Sequence, residues 1–152
     1  MHVCDITYMS MFDNIFPRNT VDYRGHSISF YAFIFITLIS TFRSLIHLLA
    51  RDGGAGTIAG MDLSVKGANN IIAIFGQWGA SQLILAFFQW VVIFRYQGLV
   101  ALFLLAIAFE QALRYLSGTL KPVQTKHVPP GAFAMLLFPL SLILFFFALP
   151  QS

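Results

Sequence analysis

One cysteine, Cys4, stands in the whole 152-residue chain. A lone thiol excludes an internal disulfide and any cluster of thiolate metal ligands. Charge is nearly as scarce: charged residues make up 10% of the sequence, only six are acidic, and the nine Lys and Arg are scattered singly. Without a basic run there is no patch for nucleic acid or for strong attraction to anionic lipid. No nucleophile paired with a base and no set of metal ligands is visible either. Neither a metal nor another cofactor is expected, and nucleic acid is not an expected partner.

What fills the chain instead is apolar. Hydrophobic residues reach 58% and aromatics 16%, with a mean hydropathy of +0.77, far outside the soluble globular range. Runs at 28–50, 71–94 and 98–117 are each long enough for a hydrocarbon core of roughly 30 Å, which takes about 20 apolar residues. A fourth run, 133–149, is borderline at roughly 25 Å and holds Pro139, which is expected to kink it. The expected fold is therefore all-α: an integral membrane four-helix bundle over 26–152, preceded by a docking or interfacial segment over 1–25.

Asp5, Asp13 and Asp22 interrupt that first segment, which argues against a cleavable targeting peptide and makes the first span structural. Within it Met9, Met11, Phe12, Ile15 and Phe16 form a mildly amphipathic stretch closed by Pro17. Met9, Phe12, Ile15 and Phe16 are thus expected to dock on the membrane interface or on a neighbouring subunit. Counting Arg43 and Arg114 with Arg51, Lys66, Lys121 and Lys126 tilts the first and third loops toward the cytoplasm, with both termini outside.

The connections differ in length. Only Arg95, Tyr96 and Gln97 join the second and third spans, which predicts a tight antiparallel hairpin. Ala73, Gly76 and Ala80 on one side, and Ala108 and Ala112 on the other, suggest that these two helices approach closely. The first loop reads Asp52-Gly53-Gly54-Ala55-Gly56-Thr57-Ile58-Ala59-Gly60. Its glycine spacing fails the phosphate-loop pattern and no strand precedes it, so it is expected to be a mobile re-entrant or surface loop. The third loop carries Pro122, Pro129 and Pro130, which enforce extended or turn backbone before the last helix.

The polar residues inside the spans carry most of the information. Arg43, Gln77 and Glu110 each sit about two turns from the loop-facing end of a different helix, roughly 10 Å below the same face. Thr37, Ser40, Arg43, Ser44 and His47 form one stripe. Glu110 precedes Arg114 by four residues, the favourable order for an intrahelical ion pair. Trp78, Gln82 and Gln89 lie on another face of the second helix from Gln77. Arg43, His47, Gln77, Glu110 and Arg114 are accordingly the candidate intramembrane polar or ligand-binding cluster, with no catalytic residue assigned. A structural salt bridge and a ligand contact both remain open for Glu110 and Arg114.

Four spans, a Gly-rich loop after the first, the short second connection and the third-helix ending Phe109-Glu110-Gln111-Ala112-Leu113-Arg114-Tyr115-Leu116-Ser117-Gly118 resemble the DoxX-like superfamily of small four-helix bacterial membrane proteins. The resemblance covers about 30–149. It implies a bacterial inner (plasma) membrane and a place beside redox subunits or a lipophilic ligand. The function expected is that of a non-catalytic membrane protein, either an accessory subunit of a larger complex or a binder of a lipid-like or quinone-like molecule. Its partners would be membrane lipids and other membrane subunits or further copies of itself. The alternatives are a membrane enzyme using Glu110 as acid or base on a hydrophobic substrate, and a transporter component.

Overall fold

The computed structural model describes residues 14–150. Among them the chain is helical, with no strand: α1 (Ser27–Leu49), α2 (Ala68–Phe94), α3 (Val100–Leu120) and α4 (Ala134–Ala148), with 3-10 turns at Gln97–Leu99 and Pro130–Phe133. Three helical stretches, Ser27–Leu49, Ala68–Phe94 and Gln97–Leu120, are long and apolar enough to cross a membrane. α4 is not: its 15 residues rise only about 22 Å. Helix continues through Pro139 even though the proline ring removes one backbone donor.

The start of α1 is set by His26, whose Nδ1 accepts from Ile28 N at 3.2 Å, and that of α2 by Gly67 in the left-handed region at φ 97°. The helices then pack in pairs. α1 lies mainly against α2, and α3 mainly against α4, with α1 also touching α4. This overturns the close pairing expected of α2 and α3. The short connection brings their ends together, but each helix finds its main packing partner elsewhere. The small residues explain the choice. A Cβ on Gly79 would come within 2.7 Å of His47 Cβ and 2.8 Å of Leu48 N, so α2 uses this glycine to approach α1.

Apolar burial is concentrated in one half of the molecule. Phe33, Ile36, Val92, Ile93, Val100, Ala101, Leu104, Ile107, Leu144, Phe145 and Ala148 form a single core, contributed by the first half of α1, the end of α2, the start of α3 and the end of α4. Ser29 Oγ donates to Leu144 O at 2.9 Å and ties α1 to α4 within it. Residues 14–26 fold back across this end. Gly98 N donates to Thr20 O at 3.0 Å and His26 N to Phe147 O at 2.8 Å, while Ile15 and Tyr23 pack on the core. Burial pushes the Tyr23 phenol up to about 12, and its hydroxyl donates to His26 O at 2.8 Å. Ile15, expected to dock on a partner or the membrane interface, is therefore engaged by the chain's own core. Phe16 is about half exposed, and Met9 and Phe12 lie outside the described residues.

The contact at Gly79 yields a paired prediction. Gly79→Ala should destabilise the fold by about 1–3 kcal/mol, because backbone and Cβ of α1 cannot move aside independently. Gly76→Ala, whose new Cβ would have only His47 O at 3.9 Å, should be neutral or gain up to about 1 kcal/mol of helix propensity. Thermal unfolding in detergent, followed by helical circular dichroism, checks both; equal effects would place the helix contact elsewhere.

Candidate functional site

In the other half of the molecule, three helices each supply an i, i+4 pair to one level: Arg43 and His47 from α1, Trp78 and Gln82 from α2, Glu110 and Arg114 from α3. Residues four apart stand on the same helix face one turn from each other, so each helix needs only one face turned inward to deliver both. The pairs interlock. Arg114 donates to Glu110 Oε1 through Nε at 3.0 Å and Nη2 at 2.5 Å. Gln82 Nε2 donates to the same oxygen at 2.8 Å, and Gln82 Oε1 accepts from Arg43 Nη2 at 3.2 Å. Beside this chain the Trp78 ring has the Arg43 guanidinium 5.3 Å and the Arg114 guanidinium 4.7 Å from its centre, both within cation–π range.

Arg43, Glu110 and Arg114 are thus brought together, and His47 stands beside them with its ring centre 4.6 Å from that of Trp78. Gln77 is not brought in: its side chain is exposed and makes no hydrogen bond among the described residues, while Gln82, five positions on, takes the place expected for it. One residue along a helix is a rotation of about 100°, so a face that turns Trp78 and Gln82 inward turns Gln77 out.

Next to Gln82 the helices leave a crevice of about 100 Å³, lined by Ile36, Ile39, Ser40, Arg43, Gln82, Leu85, Ala86, Gln89, Ile107, Glu110, Gln111 and Leu137. The gap is a consequence of the packing, since α2 and α3 meet here through the long side chains of Gln82 and Glu110. Gln89 and Gln111, 3% and 5% exposed, make no side-chain hydrogen bond among the described residues, and Gln89 Oε1, Gln111 Oε1 and Arg43 Nε are enclosed without a partner. Ile39, in the same lining, is about half exposed. The crevice therefore runs from buried amides to the apolar exterior.

Two loops close this end. The Gly-rich segment, expected to be mobile, is a hydrogen-bonded turn system built on Asp52. The Asp52 carboxylate accepts from Thr57 N at 2.8 Å, Gly54 N at 2.9 Å, Gly56 N at 3.1 Å and Thr57 Oγ1 at 3.3 Å. The Thr57 and Gly54 backbone donors hold its carboxyl below the ordinary 3.8. The turn presents Gly53 O to His47 Nδ1 at 2.7 Å; a carbonyl only accepts, so Nδ1 carries the proton. His47 is therefore a buried tie between α1 and its loop. The third loop locks on through Lys126 N to Gly60 O at 2.8 Å. Gly60, at φ 70°, has no room for a Cβ, which would come within 2.6 Å of the His127 ring. Among the described residues no group of three His, Cys, Asp or Glu could hold a metal ion.

No family model, curated protein or solved structure matches this chain.

Two outcomes are expected. Glu110→Ala leaves Arg114 and the Gln82 amide without their acceptor and should cost about 3–5 kcal/mol or prevent accumulation. Replacing Glu110 and Arg114 together by Leu should be milder, because Arg114 is no longer left without its counter-ion. Folded yield and unfolding midpoint in detergent rank the two; equal values would mean that Arg114 reaches water by itself. For Asp52 the folded-state value is depressed, so its contribution is complete above the ordinary value and is lost as pH falls through the folded one. Acidification below about pH 4, or Asp52→Ala at neutral pH, should raise amide exchange at Gly54, Gly56 and Thr57. Unchanged protection would show that the turn holds without the carboxylate.

Proposed function

We propose that this chain is an integral membrane protein with its long helices across the bilayer, and that it works without catalysis. It would hold the polar head of a lipid-like or quinone-like molecule in the crevice beside Arg43, alone or as an accessory subunit of a larger complex. The observation that carries the reading is the pair of buried, unpartnered amides, Gln89 and Gln111, lining a gap that reaches the apolar exterior at Ile39. A buried polar group without a partner costs about 1–3 kcal/mol, and here a ligand's head group would supply the missing partners. Exposed apolar side chains on α1 and α2, among them Phe35, Phe42, Ile84 and Phe87, suit an acyl or isoprenoid tail as well as bulk lipid.

The enzymatic alternative is less well supported. Glu110 Oε1 already accepts three hydrogen bonds, two from the Arg114 guanidinium and one from Gln82 Nε2, which engages it in linking α2 to α3. Among the described residues no second carboxylate reaches the seam.

The test is what the purified protein carries. Isolated in mild detergent and extracted with organic solvent, the wild-type chain should yield one class of lipophile near one per chain by mass spectrometry. The double variant Gln89→Leu, Gln111→Leu should fold, since those amides have no partners to lose, and retain at least about ten-fold less. No enrichment over bulk membrane lipid, or equal retention by the variant, would overturn the reading.

A further inference from the structure

The seam contains two guanidiniums and one carboxylate. Glu110 is committed to Arg114 at 2.5 Å, and among the described residues the only other ion pair joins Lys126 to Asp62 on the loops. Arg43 is left with a neutral amide at Nη2 and the face of Trp78. Its Nε is enclosed and donates to nothing among the described residues. Asp52, the nearest acid in sequence to Arg43, is occupied by the amides of its own turn. The seam thus carries one uncompensated positive charge at the wall of the crevice. A charge held inside a bilayer without a counter-ion is costly, and such groups are found paired or facing a polar cavity.

We infer that the head group taken by the crevice is a carboxylate, so that the ligand is a long-chain fatty acid. This deepens the reading given under Proposed function and rests on it. A carboxylate matches each unmet group in turn. It accepts from Arg43 Nε–H in a charge-assisted bond, roughly twice as strong as a neutral one. It also accepts from the amide nitrogens of Gln89 and Gln111: with no partner fixing either side chain, a half-turn of the amide exchanges its enclosed oxygen for the NH2 group. A quinone, an alcohol or an ester satisfies hydrogen bonds and leaves the charge where it was. Volume points the same way. About 100 Å³ is well under the roughly 300–1,000 Å³ of sites that enclose a whole ligand, so a compact head enters and the tail leaves past Ile39 into apolar surroundings.

The experiment compares three probes with the same tail on the delipidated full-length protein in detergent: hexadecanoate, methyl hexadecanoate and hexadecanol, under alkaline conditions that keep the acid ionised. Hexadecanoate should bind at least ten-fold tighter than either neutral probe by native mass spectrometry or calorimetry. Arg43→Gln should bring the three to within about two-fold of each other, whereas Arg43→Lys should keep the order with weaker binding. Wild-type protein that binds all three equally, or the neutral probes better, overturns the carboxylate and leaves the lipophile-holding reading intact. Wild-type protein that binds none of them overturns the carboxylate, and the absence of any co-purified lipophile would remove the broader reading as well. Failure of Arg43→Gln to fold does not blunt the test, because the wild-type comparison decides it.

Discussion

A guanidinium set about two turns inside an apolar helix has to be answered from neighbouring helices, and in this chain the answer to Arg43 organises everything around it. Gln82 is suited to the task because an amide has an acceptor at one end and donors at the other. Its oxygen meets Arg43, its nitrogen meets Glu110, and Glu110 passes the polarity on to Arg114. One neutral side chain thereby joins three helices. The relative heights of α1, α2 and α3 follow, since sliding any of them by one turn, about 5.4 Å, would break a link and leave a buried group unpaired.

The same chain explains why α2 and α3 stay apart despite their short connection. Joined through the length of a glutamine and a glutamate, their backbones cannot close as small residues would allow. α2 turns Gly79 toward α1, where it admits the backbone around His47. The unfilled space between α2 and α3 is the crevice, a product of how the polar seam is bridged.

Much of this was legible in sequence, and the limits have physical causes. The three long helices appear as apolar runs, and Glu110 with Arg114 as an i, i+4 pair, because both signals are local. The common depth of Arg43 and Glu110 followed from counting residues to the helix ends. The choice of Gln82 over Gln77 did not, because α2 is apolar nearly all round and such a helix does not advertise its inner face. Helix pairing was equally hidden: a short loop fixes which ends meet, and packing along the length depends on where small residues fall against a partner. The course of residues 14–26 over the core depends on long-range bonds such as His26 to Phe147, which no periodicity encodes. The Asp52 turn was masked by its glycines, which suggest freedom until the carboxylate that gathers their amides is noticed.

The two halves of the molecule are built to different standards, and the contrast bears on function. At the end crossed by residues 14–26 the backbone crossings are hydrogen-bonded and the core is continuous from Phe33 to Ala148. At the loop end three enclosed polar atoms lining one gap lack partners. Apolar side chains of similar volume at 89 and 111 would leave no unpaired groups, and replacing buried polar residues in this way is often neutral or stabilising. A helix packing that needed only stability would have no use for amides there. The closely packed half supplies the rigidity against which the seam can be held open, and the polarity of that seam is what a head group arriving from the apolar exterior would meet.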